Sequence, residues 1–134
     1  MLSVEFAFIC DYAEATGKIN AMGIGFDTIF APSVPTIHPF FFLVFKLQAN
    51  IVETGEKKIQ ISLIDEDGKN VIPIISTKFV IPRPKEGTES KAQIALQFGN
   101  VTFPNYGGYS IHGVIEGLDL ISIPIRISPP PKSA

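Results

Sequence analysis

The sequence contains no tryptophan, a single cysteine (Cys10) and few charges, since only 18% of its 134 residues are Asp, Glu, Lys or Arg. Each shortage excludes something. One cysteine permits no intrachain disulfide, and small secreted domains usually depend on several, so a cytoplasmic protein is the simpler expectation. Eleven basic residues against thirteen acidic ones, scattered along the chain, leave a net charge of −2. No strong field then exists to steer nucleic acid or an anionic membrane surface towards the protein. Soluble domains average about 25% charged residues, and the apolar share here is an ordinary 46%, so the chain is short of charge without being rich in core material. This composition excludes a disordered chain. The longest apolar run, Pro39 to Phe45, is far below the ~20 residues that span a bilayer, which excludes a membrane-crossing helix. The start Met1-Leu2-Ser3-Val4-Glu5-Phe6 has no basic segment, and Glu5, Asp11 and Glu14 interrupt any signal-like apolar stretch.

What is present favours strands. Twenty isoleucines, eight valines and seven threonines make 35 β-branched residues, and eleven phenylalanines join them. Such side chains pack well on a pleated surface and lose rotamer freedom in a helix. Period-two alternation follows. Phe41, Leu43, Phe45, Leu47, Ala49 and Ile51 form one apolar face, Ile59, Ile61 and Leu63 a second, and Ile94, Leu96 and Phe98 a third. Ile121, Ile123, Ile125 and Ile127 alternate with Leu120, Ser122, Pro124 and Arg126. Near the start, Val4, Phe6, Phe8 and Cys10 are placed on one face, with Lys18 to Phe26 as a partner after a turn at Thr16-Gly17. Asp11 and Glu14 have capping-box spacing, but Gly17 follows closely, so Asp11 to Thr16 is read as a loop or a single helical turn. Asp67-Gly68 and Gly117-Leu118-Asp119 mark hairpin connections, and Arg83 to Ser90 forms the longest polar loop. About eight strands result. A chain of this length suits one domain, residues 1–128, with a proline-rich tail at 129–134.

Asn105-Tyr106-Gly107-Gly108-Tyr109 precedes the run Ser110 to Glu116 and resembles the tyrosine corner of immunoglobulin-like sandwiches, with Tyr109 as the corner residue. The fold expected is an all-β, antiparallel Greek-key β-sandwich, immunoglobulin-like, with a small closed barrel as the alternative. The disulfide pair and core tryptophan of antibody domains are lacking. Phe6-Ala7-Phe8-Ile9-Cys10-Asp11-Tyr12-Ala13, Gly17-Lys18-Ile19-Asn20-Ala21-Met22-Gly23 and Phe103-Pro104-Asn105-Tyr106-Gly107-Gly108-Tyr109 together resemble a family of small bacterial domains with no assigned function. That resemblance covers nearly the whole chain. It implies a compact β-sandwich and a bacterial source, and it carries over no functional residue.

Candidate chemistry is sparse. Asp65-Glu66-Asp67-Gly68-Lys69-Asn70 is the densest acidic cluster, yet its glycine comes fourth and no bidentate Glu stands at the twelfth position, so it reads as a turn and not a calcium loop. His38 and His112 lack metal-ligand spacing. His38, before Pro39, reads as a loop residue at the mouth of the next strand, and His112 as outward-facing. Cys10 has nothing basic beside it to lower its pKa, and no serine sits in a Gly-x-Ser-x-Gly elbow. Gly23-Ile24-Gly25-Phe26 lacks the third glycine of a phosphate cradle, and Lys57-Lys58, Arg83, Lys85 and Lys91 build no patch with interleaved aromatics. No cofactor, metal or catalytic residue is assigned, and no enzymatic activity is expected.

The most informative feature is the strand after Pro39. If Phe41, Leu43 and Phe45 face the core, Phe40, Phe42 and Val44 occupy the opposite face, where water is normally found. Either the loop Ala31 to Pro39 folds back over them, or they meet another molecule. The expectation is a non-enzymatic interaction or structural module that binds protein, including itself as a homo-oligomer, through Phe40, Phe42 and Val44. The alternative is a small-molecule site in loops at one end, near Asp11, Tyr12 and Tyr106. Ile9 is suspected of facing outward as well.

Overall fold

Side-chain alternation organises ten strands, seen in a computed structural model that describes residues 2–131. β1 (Ser3–Cys10), β5 (Thr36–Asn50) and β8 (Glu89–Phe103) form one antiparallel sheet in the order β1-β5-β8. A second sheet takes the order β4 (Thr28–Phe30), β10 (Leu118–Ser128), β9 (Gly107–Ile115), β6 (Gly55–Asp65) and β7 (Ile75–Ile81). All its pairs are antiparallel except β4 with β10. β2 (Tyr12–Thr16) and β3 (Lys18–Met22) make a separate two-stranded hairpin. The chain is all-β, and its one helical turn among the described residues is the short 3-10 segment Ile51–Glu53. Residues 132–134 of the expected tail lie outside the described residues.

The inner faces of the two larger sheets share one core. Phe41, Leu43, Phe45 and Leu47 on β5 meet Ile59, Ile61 and Leu63 on β6, Ile111 and Ile115 on β9, and Ile121, Ile125 and Ile127 on β10. The expected faces of these strands are found where period two places them, except at Ile51, which lies beyond the end of β5 in the 3-10 turn Ile51–Glu53 and is 37% exposed. Burial of each large side chain is worth roughly 1.5–3 kcal/mol relative to exposure, so the alternation fixes strand register firmly. Asp67-Gly68 lies in the connection from β6 to β7, which pair antiparallel. Between β9 and β10 the two turn residues are Glu116 and Gly117, both at positive φ (49° and 79°), the backbone of a two-residue hairpin turn.

The start of the chain departs from expectation in three ways. Asp11 to Thr16 is neither loop nor helical turn, because Tyr12–Thr16 pairs residue for residue with Lys18–Met22 across Gly17, whose φ of 83° closes the turn. Lys18–Met22 thus partners β2, while β1 pairs with β5. Within β1 a bulge between Val4 and Phe6 shifts the register. An inserted residue moves every later side chain to the other face. Val4, Ala7 and Ile9 consequently turn to the main core, and Phe8 and Cys10 turn away from it. Ile9, suspected of pointing outward, is 1% exposed.

The hairpin also explains the second face of β5. Cys10, Ala13 and Val44 form a second buried cluster, with Phe8, Ile19, Ala21, Phe42 and Ala95 packed around it. The cover over this face is β2–β3, not the loop Ala31 to Pro39.

Candidate functional site

The hairpin is short, and where it ends aromatic surface emerges. Each of its strands has five residues, and its alternation puts Ala13 inward while Tyr12 and Met22, paired across the open end, face solvent. Below it on β5 the face grades from dry to wet. Val44 is fully buried, Phe42 half-buried, and Phe40 46% exposed. Val44, expected on an interaction surface, is therefore withdrawn from any surface by the hairpin above it. Phe42 and Phe40 remain at the margin, joined by a residue that the sequence reading had placed elsewhere, namely Tyr12. The Tyr12 ring meets Phe42 edge-on at 5.3 Å between centroids, and Phe42 meets Phe40 edge-on at 6.4 Å. Edge-to-face pairs at such separations hold rings in fixed relative orientation. Tyr12 is 47% exposed and Met22 69%, which makes Tyr12, Met22, Phe42 and Phe40 one apolar surface. Gly23 permits it. A Cβ there would fall on the Asp11 carboxylate, and its φ is 69°.

Beside this patch stand the titratable groups of the same end. Cys10 is buried, its Sγ–H donates to the Tyr12 carbonyl at 3.4 Å, and burial, helped by the Asp11 charge, pushes the thiol pKa up. It is a poor nucleophile there. His38 lies within β5 and not in a loop, its ring 6.2 Å from that of Phe26 and 5.8 Å from that of Phe41. Burial holds its pKa below the ordinary imidazole value, while Asp11 opposes the shift.

The remaining polar candidates are engaged in structure. Asp65 Oδ1 accepts from the N–H groups of Asp67 and Lys69, each at 2.9 Å, and Glu66 Oε1 accepts from Gly108 N–H at 2.7 Å. Two carboxylates of the acidic run thus hold backbone amides. The Tyr109 hydroxyl donates to the Asn105 carbonyl at 2.7 Å and accepts from the Asn105 N–H at 3.1 Å. The neighbouring Tyr106 hydroxyl donates to the Ala31 carbonyl at 2.8 Å. His112, expected to face outward, is half-buried with Nε2 2.9 Å from Ser110 Oγ and Nδ1 4.0 Å from Asp119. Among the described residues, no group of three or more His, Cys, Asp or Glu side chains is placed to hold a metal ion. No helix among them is long and apolar enough to cross a membrane.

Comparison with curated proteins finds no match. Among solved structures, the chain is similar to the Pseudomonas fluorescens alkylpurine DNA glycosylase AlkC bound to DNA containing an abasic site analog, with a TM-score of 0.50 and 11% identity. The alignment covers 95% of this chain but 30% of that one, and it is a likeness of fold alone. The model of the family of unknown function DUF6941 matches residues 5–128, and the chain belongs to that family.

Proposed function

We propose that this protein is a non-enzymatic interaction module that binds another protein through the Tyr12, Met22, Phe40 and Phe42 surface. The observation that carries this reading is the graded face of β5. The β5 row that is dry at Val44 ends at Phe40, 46% exposed, and the Tyr12 ring of β2, 47% exposed, packs on Phe42 within it. Exposed aromatic and methionine side chains are typical of the centres of protein contacts. The reading places the module in a bacterial cytoplasm, as a single domain of immunoglobulin-like Greek-key sandwich architecture. Two sheets over one core and the Tyr109 hydroxyl bonded to Asn105 support that architecture. Nucleic acid and membrane are not its partners. A small-molecule site near Asp11, Tyr12 and Tyr106 has less support, because the polar groups at the Tyr106 end are engaged within the protein: Tyr106 donates to the Ala31 carbonyl, Asp65 accepts from Asp67 and Lys69, and Glu66 accepts from Gly108.

The test is affinity purification from the native host with the natural chain and a Tyr12→Ser/Phe40→Ser double variant. Both positions are about half exposed, so the variant is expected to melt close to the natural protein. The reading predicts a stoichiometric partner retained by the natural chain and lost by the folded variant. Identical partners for both would overturn it.

A further inference from the structure

The sheet β1-β5-β8 ends at β8, a fifteen-residue strand hydrogen bonded to β5 along one side. Its other side has no strand partner among the described residues. A free strand edge is a template for another strand, and folds usually blunt such edges with charge, proline, bulges or shortness. The other edges of this chain are blunted in those ways. β4 has three residues, β1 carries its bulge at Glu5, and β7 places Lys78 at mid-strand, paired with Glu56 at 3.2 Å. β2 and β3 have five residues each and carry Glu14 and Lys18. β8 alone runs from Ala92 to Gly99 without a charge or a proline, up to Asn100, whose backbone is left-handed at φ 49°.

Burial gives a second, independent sign. Ile94 and Leu96 point at the main core, opposite Phe45 and Leu43 on β5. Those partners are fully buried, whereas Ile94 and Leu96 are half-buried, so the core stands open along this edge. At the Lys91 end of this edge a groove of ≈ 380 Å³ lies between Lys91–Ile94, Phe79 and Val80 of β7, and Ala15 and Gly17 of the hairpin.

We propose that β8 pairs antiparallel with β8 of a second copy of this chain, about a two-fold axis near Leu96. The two three-stranded sheets then become one sheet of six. Charge selects a second copy as the occupant. The only charged residues of β8, Glu89 and Lys91, lie together at one end. In an antiparallel self-pairing centred near Leu96 each faces an uncharged residue, and the neutral stretch of one copy meets the neutral stretch of the other. A closed two-fold contact of this kind also hides both edges at once and leaves none to propagate. This inference concerns the free hydrogen-bonding edge of β8, which adjoins the Tyr12–Phe40 patch where Gln97 pairs with Phe42, and it stands without the reading above.

The experiment uses the full chain with Gln97→Lys and Gln97→Glu. Gln97 is exposed on β8, so neither substitution touches the core, and melting temperature checks the fold. Sedimentation equilibrium is expected to show the natural chain at twice its 14.6 kDa mass. Each variant alone brings like charges into neighbouring cross-strand positions and weakens the dimer by about fivefold. An equimolar mixture of the two variants restores it. Hydrogen exchange of the amides of residues 92–100 slows as concentration rises. A chain that is monomeric at every attainable concentration overturns the proposal. So does a dimer that neither charge disturbs and whose β8 amides exchange as in the monomer. A Tyr12→Ser/Phe40→Ser chain is expected to dimerise normally, which separates failure here from failure of the partner-binding reading.

Discussion

Single residues in this protein are decided by which side of β5 they meet. Phe45 and Val44 are adjacent and equally buried, one in the main core and the other beneath the hairpin. Phe40, on the same face as Val44, differs only in lying beyond the hairpin's reach. His38 shows how such a position acts on chemistry. Its ring is packed near Phe26 and Phe41, and burial disfavours the imidazolium, so its pKa lies below the ordinary 6.5. The unfolded chain, whose His38 titrates near 6.5, binds the proton more readily than the folded one. Stability from this group is therefore complete above that value and is lost as pH falls from 6.5 towards the folded pKa. Urea unfolding across that interval is expected to give a falling free energy for the natural chain and a shallower slope for His38→Gln. Equal slopes would show that the ring is not held neutral. The carboxylates contribute in a separate, more acidic window. Lys91 and Lys46 hold the exposed Glu5 below its ordinary 4.5.

At the scale of elements, the reading of sequence succeeded where one face is apolar over several residues and failed where contact with a distant segment decides. The strands around Ile59–Leu63, Ile94–Phe98 and Ile121–Ile127 alternate cleanly, and the glycines of Asp67-Gly68 and Gly117 mark their turns locally, although Leu118 and Asp119, expected in the second turn, already belong to β10 and the turn residues are Glu116 and Gly117. β2 is different. Tyr12-Ala13-Glu14-Ala15-Thr16 alternates, but with alanine on its inner face, which is a weak strand former and a weak core residue. Its strand exists because Lys18–Met22 pairs with it and Val44 lies under it. Equally hidden was the bulge at Glu5, since nothing in Ser3–Phe8 marks where one extra residue is absorbed. A hairpin held this way should open locally. Gly17, at φ 83° with open space around it, accepts a Cβ sterically but not conformationally. A left-handed backbone costs a β-branched residue roughly 1–2 kcal/mol. Gly17→Val is therefore expected to raise the rate at which a thiol reagent labels Cys10, which the hairpin covers, while global unfolding of the main core changes little. An unchanged labelling rate would mean that the hairpin is not the lid over Cys10.

On the scale of the whole molecule, the shortage of charge has two structural sources. β5 is buried on both faces, one by the second sheet and one by the hairpin, so a fifteen-residue strand carries a single charged residue, Lys46. The other source is surface that stays apolar although exposed, as at Tyr12, Met22 and Phe40. The candidate surface was legible in part. Phe40 and Phe42 were visible as an apolar face with no evident cover, whereas Tyr12 and Met22 join them only because the hairpin brings its open end there. Sheet order, including the parallel pairing of β4 with β10, has no local signature and was not legible. The central claim is that the Tyr12–Phe40 surface is where another protein docks. It is tested most directly by placing a photo-cross-linking phenylalanine at position 40 in the native host, with position 52 as control, since Val52 is 84% exposed and lies outside the patch. The account predicts one dominant adduct of a single partner from position 40 and none of it from position 52. Equal adducts from both positions, or no adduct from position 40, would contradict it.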